Sequence, residues 1–261
     1  MHEPHSILRN TASIEEITTM SALGSAYERI YSALCGRHPN VRLWHFQWLA
    51  GKDLYRDLKL VLPSIQGRVL DVGCGHKPYE GWLSKTASVV GIDVSPGPRV
   101  DVQIVPGQPW PLGDAEFDGV LCTQVVEHAR DFEHVLAEIY RNLKPGGYLV
   151  LTVPFAYNVH DAHDYRRFSV QGIRELFAER YEIIELKGQG GVGSTIGLLL
   201  LNWIEITLNL SKIGRWLKGL ALPLWILFSA FVNFWGWILD SLDHSRAFYS
   251  NVVLVARKRC A

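Results

Sequence analysis

Short runs rich in Val, Leu and Ile recur through residues 67–189, with helical or polar stretches between them. These runs are RVLDVG (68–73), SVVGIDV (88–94), VDVQIV (100–105), FDGVLCT (117–123) and YLVLTVP (148–154). Runs of this length and composition predict strands that are buried on both faces. Because such strands alternate here with helical stretches, the sequence predicts an α/β domain built on a mainly parallel sheet.

The composition and spacing of apolar residues divide the chain into three regions. Residues 1–66 predict a helical N-terminal cap, because apolar side chains recur there at helical spacing. The core is predicted to comprise residues 67–189 and 250–261. The first range ends in a sixth strand, YEIIELKG, and the second again has a composition typical of a strand. Residues 190–249 are rich in Leu, Ile, Trp and Phe, and predict a hydrophobic helical insertion between strands six and seven. The periodic apolar residues of the cap are Trp44, Trp48, Leu49, Leu54, Leu58 and Val61.

The charge and cysteine content narrow the choice of partners and compartment. Lys plus Arg and Asp plus Glu number 26 each, which argues against nucleic acid as a partner, since phosphate affinity needs excess Lys and Arg. The four cysteines form no C-x-x-C pair, which predicts reduced cytoplasmic thiols. The first residues, MHEPHSILRNTAS, contain no apolar run of the kind that a secretory signal needs.

The first predicted strand runs directly into a turn that contains Gly73 and Gly75. Two glycines let the backbone turn tightly and let a ligand approach it closely, beside a helix N-terminus expected near Pro78. A dinucleotide fingerprint would have a third glycine where Pro78 stands, so a nicotinamide or flavin cofactor is disfavoured. Taken alone, this motif is also compatible with a tight turn that binds nothing.

The second predicted strand carries an acid, Asp93, at its tip. A carboxylate in this position can accept hydrogen bonds from a ribose diol. Glycines and a carboxylate at adjacent strand tips therefore predict a nucleoside crevice. A simple helix N-cap is the alternative interpretation of Asp93.

Two further stretches accompany these motifs. FDGVLC (117–122) leads to VEH (126–128), and LKPGGYL (143–149) leads into the fifth strand. Together with DVGCG (71–75) and GIDVS (91–95), they resemble, in order and spacing, the motifs of class I S-adenosylmethionine-dependent methyltransferases of the small-molecule and quinone type. A looser resemblance, carried by HDAHDYRRF (160–168), is to a bacterial subgroup that acts in cell-surface glycan and lipid pathways.

The first resemblance covers roughly residues 67–185, and it implies a Rossmann-like seven-stranded sheet of order 3-2-1-4-5-7-6 with strand seven antiparallel. It also implies S-adenosylmethionine as the cofactor. The residues that it places around the cofactor are Asp71, Gly73 and Gly75 (methionine and ribose), Asp93 (ribose hydroxyls), Val94 (adenine), and Thr123 and Gln124 (sulfonium end). The chain departs from the family at VPGQPW (105–110), which lacks an acid for the adenine amine, so Gln108 or backbone groups would have to replace it.

The stretch after the fifth strand, residues 155–168, is dense in polar and ionisable groups. Open α/β sheets bind their ligands beyond the carboxyl ends of the strands. Because a hydroxyl acceptor needs its proton removed near the moment of attack, whereas an amine needs much less help, this density favours O-methylation. We predict His160 or His163 as the base, with Asp164 as its partner.

Three neighbours, Tyr165, Arg166 and Arg167, are predicted to bind the acceptor, and the two arginines suit an anionic group. The alternative is that this segment is a salt-bridged lid that only orders the loop. His128, which follows the fourth strand, is a rival for the base. A metal held by the two loop histidines and their aspartates is the least favoured interpretation, and no metal site is predicted.

The insertion contains two apolar segments, 196–210 and 220–239, with three basic residues between them. The second segment is long enough to span a bilayer. However, strand seven must return to the sheet, and two crossings would carry the basic residues through the membrane. We therefore predict a helical hairpin lying in the membrane interface, with a homodimer interface or a buried cap as the alternative. The polar face expected on the first segment is Asn202, Glu205, Asn209 and Lys212.

These patterns predict a cytoplasmic methyltransferase, peripheral on the inner face of the membrane, that acts on a lipid-linked or amphiphilic acceptor. One alternative is a soluble small-molecule methyltransferase whose insertion forms a dimer. Another is a non-catalytic cofactor-binding module of a glycan or lipid assembly complex. The polar density of residues 157–167 argues against the second alternative.

Overall fold

A computed structural model of the protein describes residues 22–260. Its centre is one seven-stranded sheet of order β3-β2-β1-β4-β5-β7-β6. The strands are β1 (Arg68–Val72), β2 (Ser88–Asp93), β3 (Val102–Gln103), β4 (Phe117–Thr123), β5 (Leu143–Pro154), β6 (Tyr181–Gln189) and β7 (Asn251–Lys258). Strand β7 runs antiparallel to both β5 and β6, and β1 pairs in parallel with β2 and β4. The predicted fold class and strand order are therefore confirmed.

Helices cover the sheet and extend beyond it. They are α1 (Ala22–Cys35), α2 (Trp48–Val61), α3 (Phe132–Asn142), α4 (Val170–Phe177), α5 (Val192–Asn209), α6 (Lys212–Leu220) and α7 (Leu222–Leu242). Side-chain caps fix three of the starts: Asp131 accepts from His134 N at 3.1 Å before α3, Ser169 accepts from Gly172 N at 3.0 Å before α4, and Ser211 accepts from Gly214 N at 2.9 Å before α6.

Apolar side chains from the strands are buried on both faces of the sheet. On one face, Leu70 and its neighbours form a cluster with Ile139 of α3 and Phe177 of α4. On the other face, Val69 belongs to a second cluster that includes Leu54 of α2. Because side chains alternate across a strand, the near-continuous apolar runs fill both layers at once.

The parallel strands bring their carboxyl ends to one edge of the sheet. There β1 ends at Val72, β2 at Asp93, β4 at Thr123 and β5 at Pro154. The connection from β1 to β2 differs from expectation, because no α-helix begins at Pro78. Only a short 3-10 turn, Glu80–Trp82, forms there. The turn after β1 is instead held by backbone hydrogen bonds, including Cys74 N to Ile92 O at 3.0 Å.

The N-terminal region contributes α1 and α2, which lie between the sheet and the insertion. Its residues 1–21 fall outside the described part of the chain. Tyr31 and Cys35 of α1 are buried in one cluster with Leu201 of α5 and Trp225 of α7. The insertion therefore packs on the cap.

The insertion forms three helices, because the basic stretch between the two apolar segments is itself helical, as α6. Asn202, Glu205 and Asn209 share a face of α5, as predicted, but Lys212 starts α6 and leaves that face. Lys218 takes the expected place of Lys212: its Nζ lies 2.7 Å from Glu205 Oε1 and 2.8 Å from Asn209 Oδ1. By length and composition alone, α5 and α7 are long and apolar enough to cross a membrane.

Helices α5 and α7 approach each other closely at small residues. A β-carbon added to Gly193 would lie 2.0 Å from the carbonyl oxygen of Gly236, and one added to Gly197 would lie 3.2 Å from a methyl carbon of Val232. Glycines four residues apart on one helix let a second backbone come near, as in helix pairs of membrane proteins. Side chains larger than hydrogen are therefore excluded at this contact.

We expect Gly193→Ala to lower the free energy of unfolding by about 1–3 kcal/mol, because the new methyl group forces the two backbones apart. Gly219→Ala is the control, since a β-carbon at Gly219 on α6 would meet no atom within 4 Å. That control should be neutral or slightly stabilising, because alanine favours a helix more than glycine does. Denaturant unfolding followed by circular dichroism measures both, and equal midpoints would contradict the close packing.

Candidate active site

A cavity of about 890 Å³ lies over the carboxyl ends of β1, β4 and β5. The cap forms one wall, the glycine turn and the strand tips form the floor, and Glu205 of α5 lies at its margin. The predicted site residues that line it are Asp71, Gly73, Gly75, Thr123, Gln124 and His160. Six residues predicted from separate motifs therefore meet in one space.

The glycine turn requires its glycines for two different reasons. Both residues have positive φ, +63° at Gly73 and +48° at Gly75, which side-chain-bearing residues rarely adopt. A β-carbon on Gly73 would also lie 2.4 Å from a methyl carbon of Val125, whereas the space beside Gly75 is open. The turn thus leaves room next to Gly75 where a ligand could contact the backbone.

Asp93 lies beside this turn at the end of β2. Its carboxylate accepts hydrogen bonds from Gly75 N at 3.1 Å and Ser95 N at 2.9 Å, so it fixes the position of the turn. Asp93 and Val94 lie outside the enclosed cavity, and Val94 is half-exposed. The structure therefore places the predicted ribose and adenine contacts at an open end of the site, and their roles stay predictions.

Asp71 supplies a buried carboxyl group at the cavity floor. Burial raises its pKa from 3.8 to about 7, the nearby Lys77 lowers it, and the carboxylates of Glu80 and Asp93 raise it further. A cation next to this group would offset the cost of holding it ionised. The floor of the cavity thus favours a positively charged ligand group.

The tip of β4 is held by a chain of amide side chains. Gln124 has a positive φ of 55°, and its Nε2 donates to Asn251 Oδ1 at 2.8 Å. Asn251 in turn donates to Gln189 Oε1 at 2.6 Å, and Gln189 donates to Asp57 Oδ2 at 2.7 Å. This chain ties Thr123 and Gln124 to the last two strands and to α2.

The loop after β5 brings His160 to the cavity with the partner predicted for it. His160 Nδ1 lies 3.0 Å from Asp164 Oδ2, and the Asp164 carboxylate is fully buried. A hydrogen bond from the Arg167 guanidinium holds the pKa of Asp164 below its usual range. An imidazole oriented by an ionised carboxylate is the arrangement that a general base needs, and the assignment of His160 as base stays a prediction.

The other predicted loop residues lie outside the cavity. The His163 side chain is 72% exposed and pairs with Asp161. Arg166 donates to the carbonyl oxygens of Ala129 and Arg130, at 2.8 and 3.0 Å, and Tyr165 is half-exposed. Arg167 is occupied by Asp164 and by the carbonyl oxygen of Asn158, at 3.0 Å. Their roles as base and acceptor-binding residues stay predictions, and the geometry favours the alternative of a loop-ordering network.

Sequence reasoning missed a group of tyrosines and a histidine that line the same cavity. They are His38, between the cap helices, Tyr55 on α2, Tyr79 after the glycine turn, and Tyr157 before His160. Their contacts join residues far apart in sequence, so no local pattern marks them. The only available signal was the prediction that the N-terminal region caps the site.

Beneath His160 lies a fully buried acid, Glu127, in the VEH stretch after β4. Among residues 22–260, its two carboxyl oxygens are without a hydrogen-bond partner. Burial raises its pKa from 4.5 to about 8, the charge of Asp164 raises it further, and the charge of Arg167 lowers it. Because of this raised pKa, Glu127 is held in its neutral form at neutral pH.

The neighbouring His128 stacks edge-on against His160, with ring centres 5.0 Å apart.

The strands form a Rossmann-like domain with a cavity over the carboxyl ends of its parallel strands. Residues 70–151 match the protein family described as a methyltransferase domain. Together with the strand order, the match shows a methyltransferase-type domain in this part of the chain.

Curated relatives share the same region. The chain is 35% identical over 102 residues to phthiotriol/phenolphthiotriol dimycocerosates methyltransferase 1 of Mycobacterium ulcerans, which covers 33% of this chain and 36% of that protein. It is 34% identical over 125 residues to the ubiquinone biosynthesis O-methyltransferase of Rhizobium rhizogenes, which covers 41% of this chain and 49% of that protein. The chain therefore spans between about a third and a half of the length of these relatives.

Solved structures resemble the chain over a larger share of its length. The crystal structure of the [4+2]-cyclase SpnF has a TM-score of 0.53 and 22% identity, and covers 82% of this chain and 84% of its own. A putative sarcosine dimethylglycine methyltransferase from Galdieria sulphuraria has a TM-score of 0.52 and 16% identity, and covers 92% of this chain and 99% of its own. At these identities the likeness concerns the fold alone.

The buried acid gives a test of the site that needs no substrate. Because the pKa of Glu127 in the folded protein, about 8, is above its ordinary value of 4.5, its stabilising effect is complete below pH 4.5 and is lost as the pH rises through 8. Glu127→Gln mimics the neutral form, so we expect it to lose less stability than the wild type between pH 5 and 8. The difference in free energy of unfolding between the variant and the wild type should grow by at most about 1.4 kcal/mol per pH unit.

The measurement is urea unfolding at several pH values, with Glu133→Gln as the control because Glu133 is exposed on α3. The control should follow the wild type across the range. If Glu127→Gln also followed it, the carboxyl group would have to be ionised and solvated in the folded protein.

Proposed function

We propose that this chain transfers a methyl group from S-adenosylmethionine to a hydroxyl group of a lipid-linked or otherwise amphiphilic acceptor at a membrane surface. The observation that carries the proposal is the position of the cavity. It lies over a glycine turn with an adjacent buried carboxyl group, and Glu205 of the insertion, whose outer face is apolar, also lines it. The donor side of the site and the insertion thus contribute residues to one space.

The residues of the donor side fit the cofactor. S-adenosylmethionine, when bound, supplies a methyl group on a positively charged sulfur with a good leaving group. Asp71 offers a carboxylate to the positive charge, Gly75 offers exposed backbone, and Asp93 offers carboxylate oxygens beside it. Thr123 and Gln124 are assigned to the end of the pocket that faces the acceptor, and Val94 to the adenine.

Two features support a hydroxyl acceptor. The cavity wall carries ionisable and hydroxyl side chains, including His160 with its partner Asp164, and proton removal by such a group contributes typically ~10²–10⁴-fold. The curated relatives include several proteins named as O-methyltransferases, among them the ubiquinone biosynthesis O-methyltransferase. His160 is one candidate for the group that removes this proton.

The distribution of polar and apolar side chains on the insertion supports contact with a lipid surface. On α7, the buried side carries Ser229, Asn233 and Gly236, whereas the exposed side is apolar. Water-soluble helices show the opposite arrangement, and large exposed apolar patches mark sites of contact with membranes or proteins. The large exposed side chains of α7 are Leu224, Leu227, Phe228, Phe231, Phe234, Trp235, Trp237, Leu239 and Leu242.

The contacts of the insertion with the cap favour a hairpin that lies flat rather than one that crosses. Asn202 of α5 accepts from Gln47 at 2.7 Å, Asn233 donates to the carbonyl oxygens of Leu43 and His45, and Asp240 pairs with Lys52 at 2.9 Å. The inner side is thus covered along its length by the cap. Only the outer side is free to enter the lipid, as in a helix of the membrane interface.

Helix α6 adds the features of an interfacial helix. It exposes Ile213 and Trp216 beside the charged Lys212 and Arg215. Basic residues next to tryptophan suit anionic headgroups above an apolar layer. We therefore propose a peripheral position on the inner face of the membrane. A homodimer formed through the same face, and a non-catalytic cofactor-binding module, remain the alternatives to be tested.

Calorimetric titration with S-adenosylhomocysteine tests the donor site. We expect micromolar binding by the wild type, and at least about tenfold weaker binding by Asp93→Ala, which corresponds to ~1.4 kcal/mol. Glu175→Ala is the control, since Glu175 is exposed on α4, and it should bind like the wild type. A folded wild type that does not bind would contradict the proposed donor site.

Sedimentation with vesicles tests the apolar face. We expect the wild type to pellet with vesicles of phosphatidylcholine and phosphatidylglycerol, and less with phosphatidylcholine alone. The double variant Leu224→Glu, Phe231→Glu should stay in the supernatant, because two charges would have to enter the lipid. Leu60→Glu is the matched control, since Leu60 is equally exposed but lies on α2.

The oligomeric state of the same samples separates lipid from a second copy of the chain. Analytical ultracentrifugation without vesicles gives the mass in solution. A wild type that remains in the supernatant as a dimer, and that the double variant converts to a monomer, would contradict the membrane proposal and establish the dimer.

A further inference from the structure

A histidine of the cap lies between two tyrosines on the wall of the cavity. His38 Nδ1 lies 2.5 Å from Tyr55 Oη, and His38 Nε2 lies 3.0 Å from Tyr79 Oη. All three side chains line the cavity, as does Thr123 at the tip of β4. Both ring nitrogens of His38 are thus engaged by phenol groups, in the same cavity as the strand tip assigned to the sulfonium end.

The protonation of the three groups suits proton transfer. Burial lowers the pKa of His38, so its imidazole is neutral near pH 7. Burial raises the pKa of both Tyr55 and Tyr79, so both phenols keep their protons. A neutral imidazole has one donor and one acceptor nitrogen. When Tyr79 donates to Nε2, Nδ1 carries the hydrogen and donates to Tyr55.

We propose that Tyr79 and His38 form a relay that takes the proton from the acceptor hydroxyl, with Tyr55 holding the imidazole in the required tautomer. This proposal rests on the proposed function and assigns its base. The acceptor O–H bond breaks, and the oxygen uses that electron pair to bond the methyl carbon. The electron pair of the broken S–C bond stays on sulfur. The acceptor proton passes to Tyr79 Oη as the Tyr79 proton passes to His38 Nε2, which leaves an imidazolium beside Tyr55.

His160 is the alternative group for this step, because the Asp164 carboxylate orients its ring. Its Nδ1 is engaged by Asp164, whose other partner is Arg167, and its ring stacks edge-on against His128 and Tyr157. These contacts anchor the loop after β5. In this assignment His160 positions Tyr157 and the loop, while the cap supplies the proton acceptor.

Two acceptors that differ only in the acidity of the hydroxyl test the relay. The probes are a long-chain catechol, protonated at pH 7.5, and its nitro derivative, already ionised at that pH, both in phosphatidylcholine vesicles. We expect His38→Gln and Tyr79→Phe each to slow methylation of the catechol by ~10²–10⁴-fold. Both variants should methylate the nitro derivative nearly as fast as the wild type, because no proton then has to be removed.

Controls separate the relay from a structural effect. The double variant should be no slower on the catechol than either single variant, because both act in one step. His134→Gln, on α3 and away from the cavity, should match the wild type on both probes. Equal losses on both probes would mean that His38 only shapes the cavity. If His160→Gln slowed methylation of the catechol but not of the nitro derivative, and His38→Gln slowed neither, His160 would be the base.

A second measurement does not depend on an acceptor. Nitrogen NMR of the histidine rings, with S-adenosylhomocysteine bound at pH 7.5, reports the protonation of His38. We expect one protonated and one unprotonated nitrogen, with the unprotonated resonance shifting in Tyr79→Phe. A doubly protonated His38 ring, or an unprotonated resonance that Tyr79→Phe leaves in place, would overturn the relay. A wild type that binds S-adenosylhomocysteine but methylates neither probe would count against the proposed function, while the NMR result would still decide the relay.

Discussion

The cavity exists because the cap is held between the sheet and the insertion. Apolar packing presses α2 onto the sheet through Leu54 and its neighbours, and the opposite side of the cap is fixed by the apolar cluster around Trp225 and by polar contacts. Asn202, Asn233 and Asp240, on otherwise apolar helices, bond to the cap through Gln47, backbone carbonyl groups and Lys52. Buried polar groups need their partners, so each of these contacts specifies where the cap must lie. Without that position, the strand tips would face open solvent.

Much of the core could be predicted from the sequence because its signals are local. Each buried strand is a continuous apolar run, and Gly73 and Asp93 lie at strand tips where local geometry restricts the choice of residue. The bounds of β4 were predicted without error, and β1, β2, β6 and β7 to within a residue or two. The helix expected at Pro78 was wrong, since the chain there forms only a 3-10 turn before β2. Pro78 was compatible with a helix start, but no periodic apolar face followed it.

The residues that sequence reasoning missed depend on tertiary contacts. His38 meets Tyr79 across 41 positions of the chain, and neither residue belongs to a periodic pattern. Lys218 replaced Lys212 as the partner of Glu205, because the chain turns at Ser211 and begins a new helix. In the loop after β5, composition indicated ionisable groups, but only the contacts distinguish His160, beside the cavity, from His163, in solvent. Residue type thus predicted the chemistry of the region, and the fold decides which side chain can take part.

The same cap contacts have a consequence for how the chain is made. Gln47 bonds to Asn202 across 155 positions, and Asn233 bonds to Leu43 across 190. During synthesis the cap leaves the ribosome well before the helices that anchor it. Contacts between such distant segments are slow to form, and apolar segments that wait for partners are exposed to aggregation. A nascent chain that stalls before α7 therefore has five paired strands, a β6 without its partner β7, and a cap without the contacts that fix it.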